Sequence, residues 1–197
     1  QVREVDVLII GAGAAGLMCA RVAGERGRKV VVLERNAKVG KKILISGGGR
    51  CNFTNLETPA TSYYSLNRHF SKSALARFGP WDFIGLVQTH GIAYHEKTLG
   101  QLFCDRSARD IVGMLLDECA NAGVVIETEC EVESVEAAES HYRVRTKSGD
   151  FRAESVVVAT GGLSIPKIGA TDFGYQVARS FGLKVTELRP ALVPLKL

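Results

Sequence analysis

The sequence predicts an α/β fold, a parallel sheet flanked by helices and extended by a small antiparallel meander. Three observations predict it. Residues 5–10 are an almost unbroken apolar run, as in a strand buried on both faces. Gly11-Ala12-Gly13-Ala14-Ala15-Gly16 follows at once and leads into a helical stretch over 17–25, ended by Gly27. A second apolar strand, 29–33, is closed by Glu34. Strand, glycine turn, helix, strand and acid make one βαβ unit.

The remaining elements follow in order. Residues 40–55 are too polar and too rich in glycine for a packed element, and are expected as a loop running into a short helix. Residues 66–104 read as a helical excursion away from the sheet. Within it, Pro80 opens a helix that stops at Gly91, and 93–103 form a hairpin around Lys97-Thr98-Leu99-Gly100. Ser107-Ala108-Arg109-Asp110 matches a capping box with Asp in place of Glu. The helix it opens puts Ile111, Val112, Leu115, Leu116 and Cys119 on one stripe, and Gly123 ends it. Residues 124–128 return as a strand. Residues 132–135, 142–146 and 151–153 form the meander, turning at Ser148-Gly149-Asp150. Residues 155–159 are a further buried strand, 171–181 a helix and 183–188 a strand. Pro190 and Pro194 punctuate an apolar end over 192–197.

Composition narrows the classes. The chain has 197 residues, the size of one large domain or of one domain and the start of a second. Apolar residues are 46% and charged residues 23%, a globular balance that excludes a disordered chain. Lys and Arg number 25 against 21 Asp and Glu, and the resulting +4 permits an anionic ligand without demanding nucleic acid. Cys19, Cys51, Cys104, Cys119 and Cys130 are odd in number and form no CxxC pair. Neither a disulfide framework nor a zinc site is expected, and reduced thiols point to the cytoplasm. The apolar stretch over 7–20 is preceded by Glu4 and Asp6 and broken by Gly11, Gly13 and Gly16, unlike a signal peptide or a membrane span. No metal and no membrane are expected as partners.

Gly11, Gly13 and Gly16 carry the chemistry. Gly11 allows the tight turn, Gly13 lets a pyrophosphate approach the backbone, and Gly16 lets helix and strand pack closely. The helix N-terminus, through Ala14 and Ala15, offers N–H donors and partial positive charge. Glu34 stands 18 residues past Gly16, near the spacing of a carboxylate that accepts from a ribose 2′-OH. Such a carboxylate repels a 2′-phosphate, so FAD or NAD fits and NADP does not. This is the pattern of a Rossmann-like dinucleotide-binding fold.

Two further stretches stand out. Ser46, Gly47, Gly48, Gly49, Arg50, Cys51 and Asn52 expose backbone N–H groups that can line an anion or ring site. Arg50 can meet a phosphate or a ring carbonyl, and Asn52 can donate to a ring edge. Lys41 and Lys42 suit either a phosphate or a solvated surface. Cys51 has no activating base nearby in sequence and reads as a packed thiol. Ala159, Thr160 and Gly161 end a strand in small residues that let a cofactor cross. His69, His90, His95 and His141 lack metal-ligand spacing. Tyr63-Tyr64 and Trp81 read as core or surface packing rather than as base-stacking platforms. No catalytic residue can be assigned from spacing.

The glycine motif, Glu34 and Ala159-Thr160-Gly161 together resemble two-dinucleotide flavoproteins of the glutathione reductase type. Residues 40–55, 161–169 and 188–195 narrow the resemblance to the bacterial BaiN/RdsA family of FAD-dependent oxidoreductases, also described as aminoacetone oxidase-like. The run Ser46-Gly47-Gly48-Gly49-Arg50-Cys51-Asn52-Phe53-Thr54-Asn55 is highly specific for that group. The resemblance implies that Gly11, Gly13, Ala14, Ala15 and Gly16 hold the FAD pyrophosphate and Glu34 the adenosine ribose. It implies that Arg35, Lys41 and Lys42 flank the adenosine and diphosphate. Ser46 to Asn52 would approach the flavin, Val132 would meet adenine through its backbone, and Ala159 to Gly161 would lie beside the cofactor. The family's chains are longer and close the FAD domain with a C-terminal segment after an inserted substrate domain. The resemblance therefore implies an N-terminal portion, which Gln1 in place of Met fits. Residues 1–162 would be the FAD-binding domain, and 163–197 the connection and start of the substrate domain.

The resemblance also implies the reaction classes: reduction of a conjugated C=C bond in a small molecule, oxidation of a small amine, or reduction of a uridine in 23S ribosomal RNA to dihydrouridine. Gln101 and Cys104 stand where family members carry Arg and Pro, and Asp172-Phe173-Gly174 replaces Gly-Asp-Gly. These departures mark a subgroup and incline the reading to the RNA reaction, with ribosomal RNA as partner. No second GxGxxG is present, so the sequence shows no dedicated NAD(P)H domain, which leaves room for NAD(P)H only as a transient electron donor. The competing class is a nucleotide-binding module without chemistry of its own.

Overall fold

Residues 2–189 are described by the structure, a computed structural model. β1 (Val2–Ile10), α1 (Ala14–Glu25) and β2 (Val30–Leu33) form the expected βαβ unit, with β1 and β2 parallel. All four residues of β2 and Leu8, Ile9 and Ile10 of β1 are buried, as a two-sided parallel strand requires. Asp6, the polar residue inside the apolar run, accepts from the Lys29 N–H at 2.7 Å and so fixes the entry to β2.

The chain continues through α2 (Lys41–Ile45), β3 (Asn52–Asn55), α3 (Lys72–Arg77), α4 (Pro80–Thr89), β4 (Tyr94–Glu96), β5 (Gln101–Cys104) and α5 (Ala108–Asn121). It ends with β6 (Val125–Glu127), β7 (Val132–Ala137), β8 (Tyr142–Thr146), β9 (Gly149–Val158) and α6 (Phe173–Ser180). Two compact units result. One comprises the residues up to Val39 and those from Cys119 onward; the other is Gly40–Glu118.

The first unit holds a six-stranded sheet in the order β6-β2-β1-β9-β8-β7. β6, β2, β1 and β9 run parallel, and β8 and β7 add an antiparallel edge. Its core gathers Val5, Leu8 and Ile10 of β1 with Val31, Leu33, Val135, Val144, Phe151 and Ala153. α6 contributes Phe173 and Val177 against that cluster. The second unit holds the sheet β3-β5-β4, antiparallel throughout.

Several expectations are corrected. Residues 151–153 and 155–159 are not two strands but parts of one, β9, ten residues long. It pairs with β8 on one side and with β1 along its length, so a single strand joins the meander to the parallel sheet. Its C-terminal half is only partly buried: Val156 packs on the core, whereas Val158 stays 41% exposed. The turn before β9 falls one residue earlier than expected, at Lys147-Ser148, because Thr146 Oγ1 donates to the Gly149 carbonyl at 2.6 Å and closes it.

Residues 40–55 reverse the expected order, with helix first, glycine turn second and strand third. Ser107 Oγ accepts from the Arg109 N–H at 3.2 Å, while Asp110 turns to Arg106, so the capping box is not completed. On α5, Met114 is buried and Leu116 only partly so. Residues 183–188 form no strand; they carry the alternation but pair with no strand among the described residues. Pro190, Pro194 and the apolar end lie outside the described residues.

Candidate functional site

The glycine loop sits where β1 ends. The Gly11 N–H donates to the Leu33 carbonyl at 2.8 Å, which ties the loop to the end of β2. A Cβ on Gly16 would stand 1.9 Å from the Gly11 carbonyl oxygen, and one on Gly11 would stand 2.5 Å from the Ala159 carbonyl oxygen. Helix and strand therefore approach closer than any side chain allows. Gly13 is different: nothing lies within 4 Å of where its Cβ would be. It precedes α1 with no side-chain cap, and no acid occupies the first turn. The positive end of the helix dipole faces this open space beside exposed Ala14 and Ala15, a cradle suited to a diphosphate.

Glu34 is buried at 8% exposure and held by three N–H donors. Its Oε2 accepts from the Ala12 N–H at 3.0 Å. Its Oε1 accepts from the Asn36 N–H at 2.9 Å and from Asn36 Nδ2 at 2.6 Å. Each carboxylate oxygen has two acceptor positions, so Oε2 keeps one for a further donor such as a ribose hydroxyl. Asn36 lies outside the residues the sequence motifs single out. Its signal is an Asx residue two positions past the acid, and Gly169 packs against it, with a Cβ there falling 3.0 Å from Asn36 Oδ1.

Ala159 closes the third side. Its N–H donates to the Ile10 carbonyl at 2.8 Å, placing Ala159, Thr160 and Gly161 beside the glycine loop. Thr160 nests against Gly174 of α6, where a Cβ would meet its hydroxyl oxygen at 2.7 Å. Val132 is the buried first residue of β7, opposite Thr146. Arg35 is exposed; with Lys147, whose hydrogen bond is the larger cause, it holds the Glu131 carboxyl below the usual range.

In the second unit, Lys41 and Lys42 open α2, and Ser46 Oγ donates to the Ile43 carbonyl at 2.7 Å. Gly47, Gly48 and Gly49 all take positive φ, and a Cβ on Gly47 would strike the Phe103 ring at 2.7 Å. Cys51 follows with φ 52° and is buried, while Arg50 is exposed. The Asn52 amide, oriented to suit its neighbours, donates to the Leu102 and Thr54 carbonyls at 3.1 and 2.9 Å, leaving Oδ1 to accept. Burial pushes the Cys51 thiol up, and pushes Cys104 up to about 12. Both are neutral thiols near pH 7, a state of poor nucleophilicity. His90 pairs with Glu118 at 2.8 Å and His95 with Asp105 at 2.7 Å. Among the described residues no three His, Cys, Asp or Glu side chains converge as a metal site.

A family model described as the HI0933-like protein Rossmann domain matches residues 5–190. The chain belongs to this family. Among relatives, the ribosomal RNA dihydrouridine synthase of Escherichia coli K12 is 54% identical over 98% of this chain and 48% of its own length. The 3-dehydro-bile acid delta(4,6)-reductase of Clostridium scindens is 32% identical over 95% of this chain and 46% of its own. The chain thus spans about half the length of the curated relatives it matches. Among solved structures, THI4 of Thermovibrio ammonificans aligns with a TM-score of 0.56 at 16% identity, over 92% of this chain and 64% of that one, a likeness of fold. The resemblance read from the motifs and the Rossmann-type fold are both borne out.

Within this HI0933-like chain the structure brings Gly11 to Gly16, Glu34 and Ala159 to Gly161 together in the first unit, which also holds Arg35 and Val132. Lys41, Lys42 and Ser46 to Asn52 belong to the second. No helix among the described residues is long and apolar enough to cross a membrane.

Proposed function

We propose that the chain is the cofactor-binding part of an FAD-dependent oxidoreductase that reduces a uridine of large-subunit ribosomal RNA to dihydrouridine in the cytoplasm. The observation that carries this reading is the 54% identity, across 98% of the chain, to a protein named for that reaction. The open face at Gly13 and the spare acceptor on Glu34 fit the cofactor.

When bound, FAD supplies hydride transfer, which the protein orients and tunes. The chain's own residues hold the dinucleotide. The first turn of α1 and Gly13 receive the diphosphate, Glu34 Oε2 accepts from the adenosine ribose, and the Val132 backbone meets adenine. Arg35 flanks the adenosine, and the small residues Ala159, Thr160 and Gly161 leave room beside the cofactor. The family resemblance extends this set to Lys41, Lys42, Ser46, Gly47, Gly48, Gly49, Arg50, Cys51 and Asn52. NAD(P)H serves as a transient donor: one hydride and one proton add across the uridine C5=C6 bond as NAD(P)+ forms.

A second reading, reduction of a small conjugated molecule, is supported by the 32% identity to the bile-acid reductase. Flavin analysis of the purified complete protein tests the shared part of both readings. Denaturation should release FAD, and Gly13→Val should abolish its retention; a protein that never holds FAD contradicts both. Incubation with NAD(P)H and either ribosomal RNA or a 3-oxo-steroid then separates them.

A further inference from the structure

Residues 58–81 form a segment that the cofactor site does not explain. No Asp or Glu occurs between Glu57 and Asp82, while Arg68, Lys72 and Arg77 add three positive charges. The stretch therefore carries +3 of its own, with no acid inside it to offset the charge. The segment also displays rings. Tyr64 is 97% exposed, Phe70 79% and Trp81 70%, with Tyr63 and Phe78 exposed beside them. Residues 61–70 are exposed without a break. Tyr63, Tyr64 and Trp81 are thus surface residues and not part of the core, the first of the two packing roles the sequence suggests.

The segment is anchored rather than adrift. Phe78 meets Phe83 at 6.5 Å between centroids, Phe83 meets Phe53 of β3 at 6.0 Å, and Phe53 meets Tyr94 of β4 at 5.5 Å. This ladder fixes the segment to the three-stranded sheet of its own unit. Among the described residues no carboxylate pairs with Arg68, Lys72 or Arg77, and Arg68 Nε instead donates to His69 Nε2 at 3.3 Å.

We propose that this aromatic and basic surface binds single-stranded ribosomal RNA. Unstacked bases lie on exposed rings, and cations spaced between the rings meet the intervening phosphates. Charge complementarity selects the occupant: an apolar protein face would satisfy the rings but leave three unpaired cations with no acid to meet. The inference rests on the RNA reading of the function and names the surface that would deliver that substrate.

The test uses the complete natural protein with FAD bound, and a fluorescein-labelled oligouridylate as probe. Tyr64→Ala/Phe70→Ala should weaken binding about tenfold or more, since stacking is removed. Arg68→Gln/Lys72→Gln should lower the slope of log affinity against log salt by about 0.7 for each phosphate no longer neutralised. The same RNA as a duplex should bind more weakly, because its bases are already stacked. Flavin absorbance and melting temperature should not change. Variants that bind as the parent does, while the parent forms dihydrouridine in ribosomal RNA, overturn the surface and leave the function standing. A parent that neither binds nor modifies RNA overturns the functional reading and this inference with it. Variants that melt lower without RNA show that the rings pack against another part of the polypeptide, and overturn the RNA assignment.

Discussion

Glu34 Oε2 accepts a hydrogen bond from the Ala12 backbone N–H at 3.0 Å, so the acid that follows β2 holds the loop that follows β1. Glu34 therefore shapes the site before any cofactor arrives. Glu34→Ala leaves the buried Ala12 N–H without its acceptor and should cost the cofactor-free protein about 1–3 kcal/mol. Glu34→Gln keeps one acceptor oxygen and should cost less. Urea denaturation of the apo forms checks this, and an Ala variant as stable as the parent contradicts it.

Gly13 and Gly16 should separate binding from folding. Gly13→Ala meets open space and an ordinary φ of −87°, so its cost should be about 1 kcal/mol or less. It should nevertheless weaken FAD retention, because the methyl occupies the diphosphate's approach. Gly16→Ala drives a Cβ into the Gly11 carbonyl and should destabilise by roughly 1–3 kcal/mol despite its better helix propensity. Melting curves beside flavin content distinguish the two.

The buried thiols predict a pH response. Cys104 is pushed from 9.0 up to about 12, and Cys51 moves in the same direction. An acid with a raised folded pKa keeps its proton after the unfolded chain has lost it. Its contribution is present below about pH 9 and falls as pH rises towards about 12. Urea midpoints at about pH 8 and about pH 10.5 should therefore differ more in the parent than in Cys104→Ala. Equal differences contradict the assignment.

Phe151 joins the two halves of the large sheet. It is fully buried on β9 among Val5, Val135 and Val144. Phe151→Ala should cost about 3–5 kcal/mol by denaturant titration, through reduced burial and the cavity left behind. A cost under about 1 kcal/mol would show that the core collapses to fill the space.

The first βαβ unit is legible because a buried parallel strand, a glycine turn and a closing acid are all local signals. β9 reads as two strands because Glu154 and Ser155 interrupt the apolar pattern, yet both are exposed on a strand held from either side. Partners decide strands, and partners are distant in sequence. The same reason explains residues 183–188, whose alternation finds no described neighbour. At the site, the glycines and Glu34 are readable from spacing. Asn36 is not, because its role depends on a side chain folding back two residues. The rings over 58–81 suggest packing in the sequence because residue type alone does not tell a buried ring from an exposed one.

In the proposed function, a flavin held at Gly13 and Glu34 reduces a uridine of ribosomal RNA. Mass spectrometry of large-subunit ribosomal RNA from cells lacking the gene measures that product. A dihydrouridine should be lost, and should be restored by the complete gene and not by its Gly13→Val form. An unchanged dihydrouridine content in the deleted strain would contradict the proposed function.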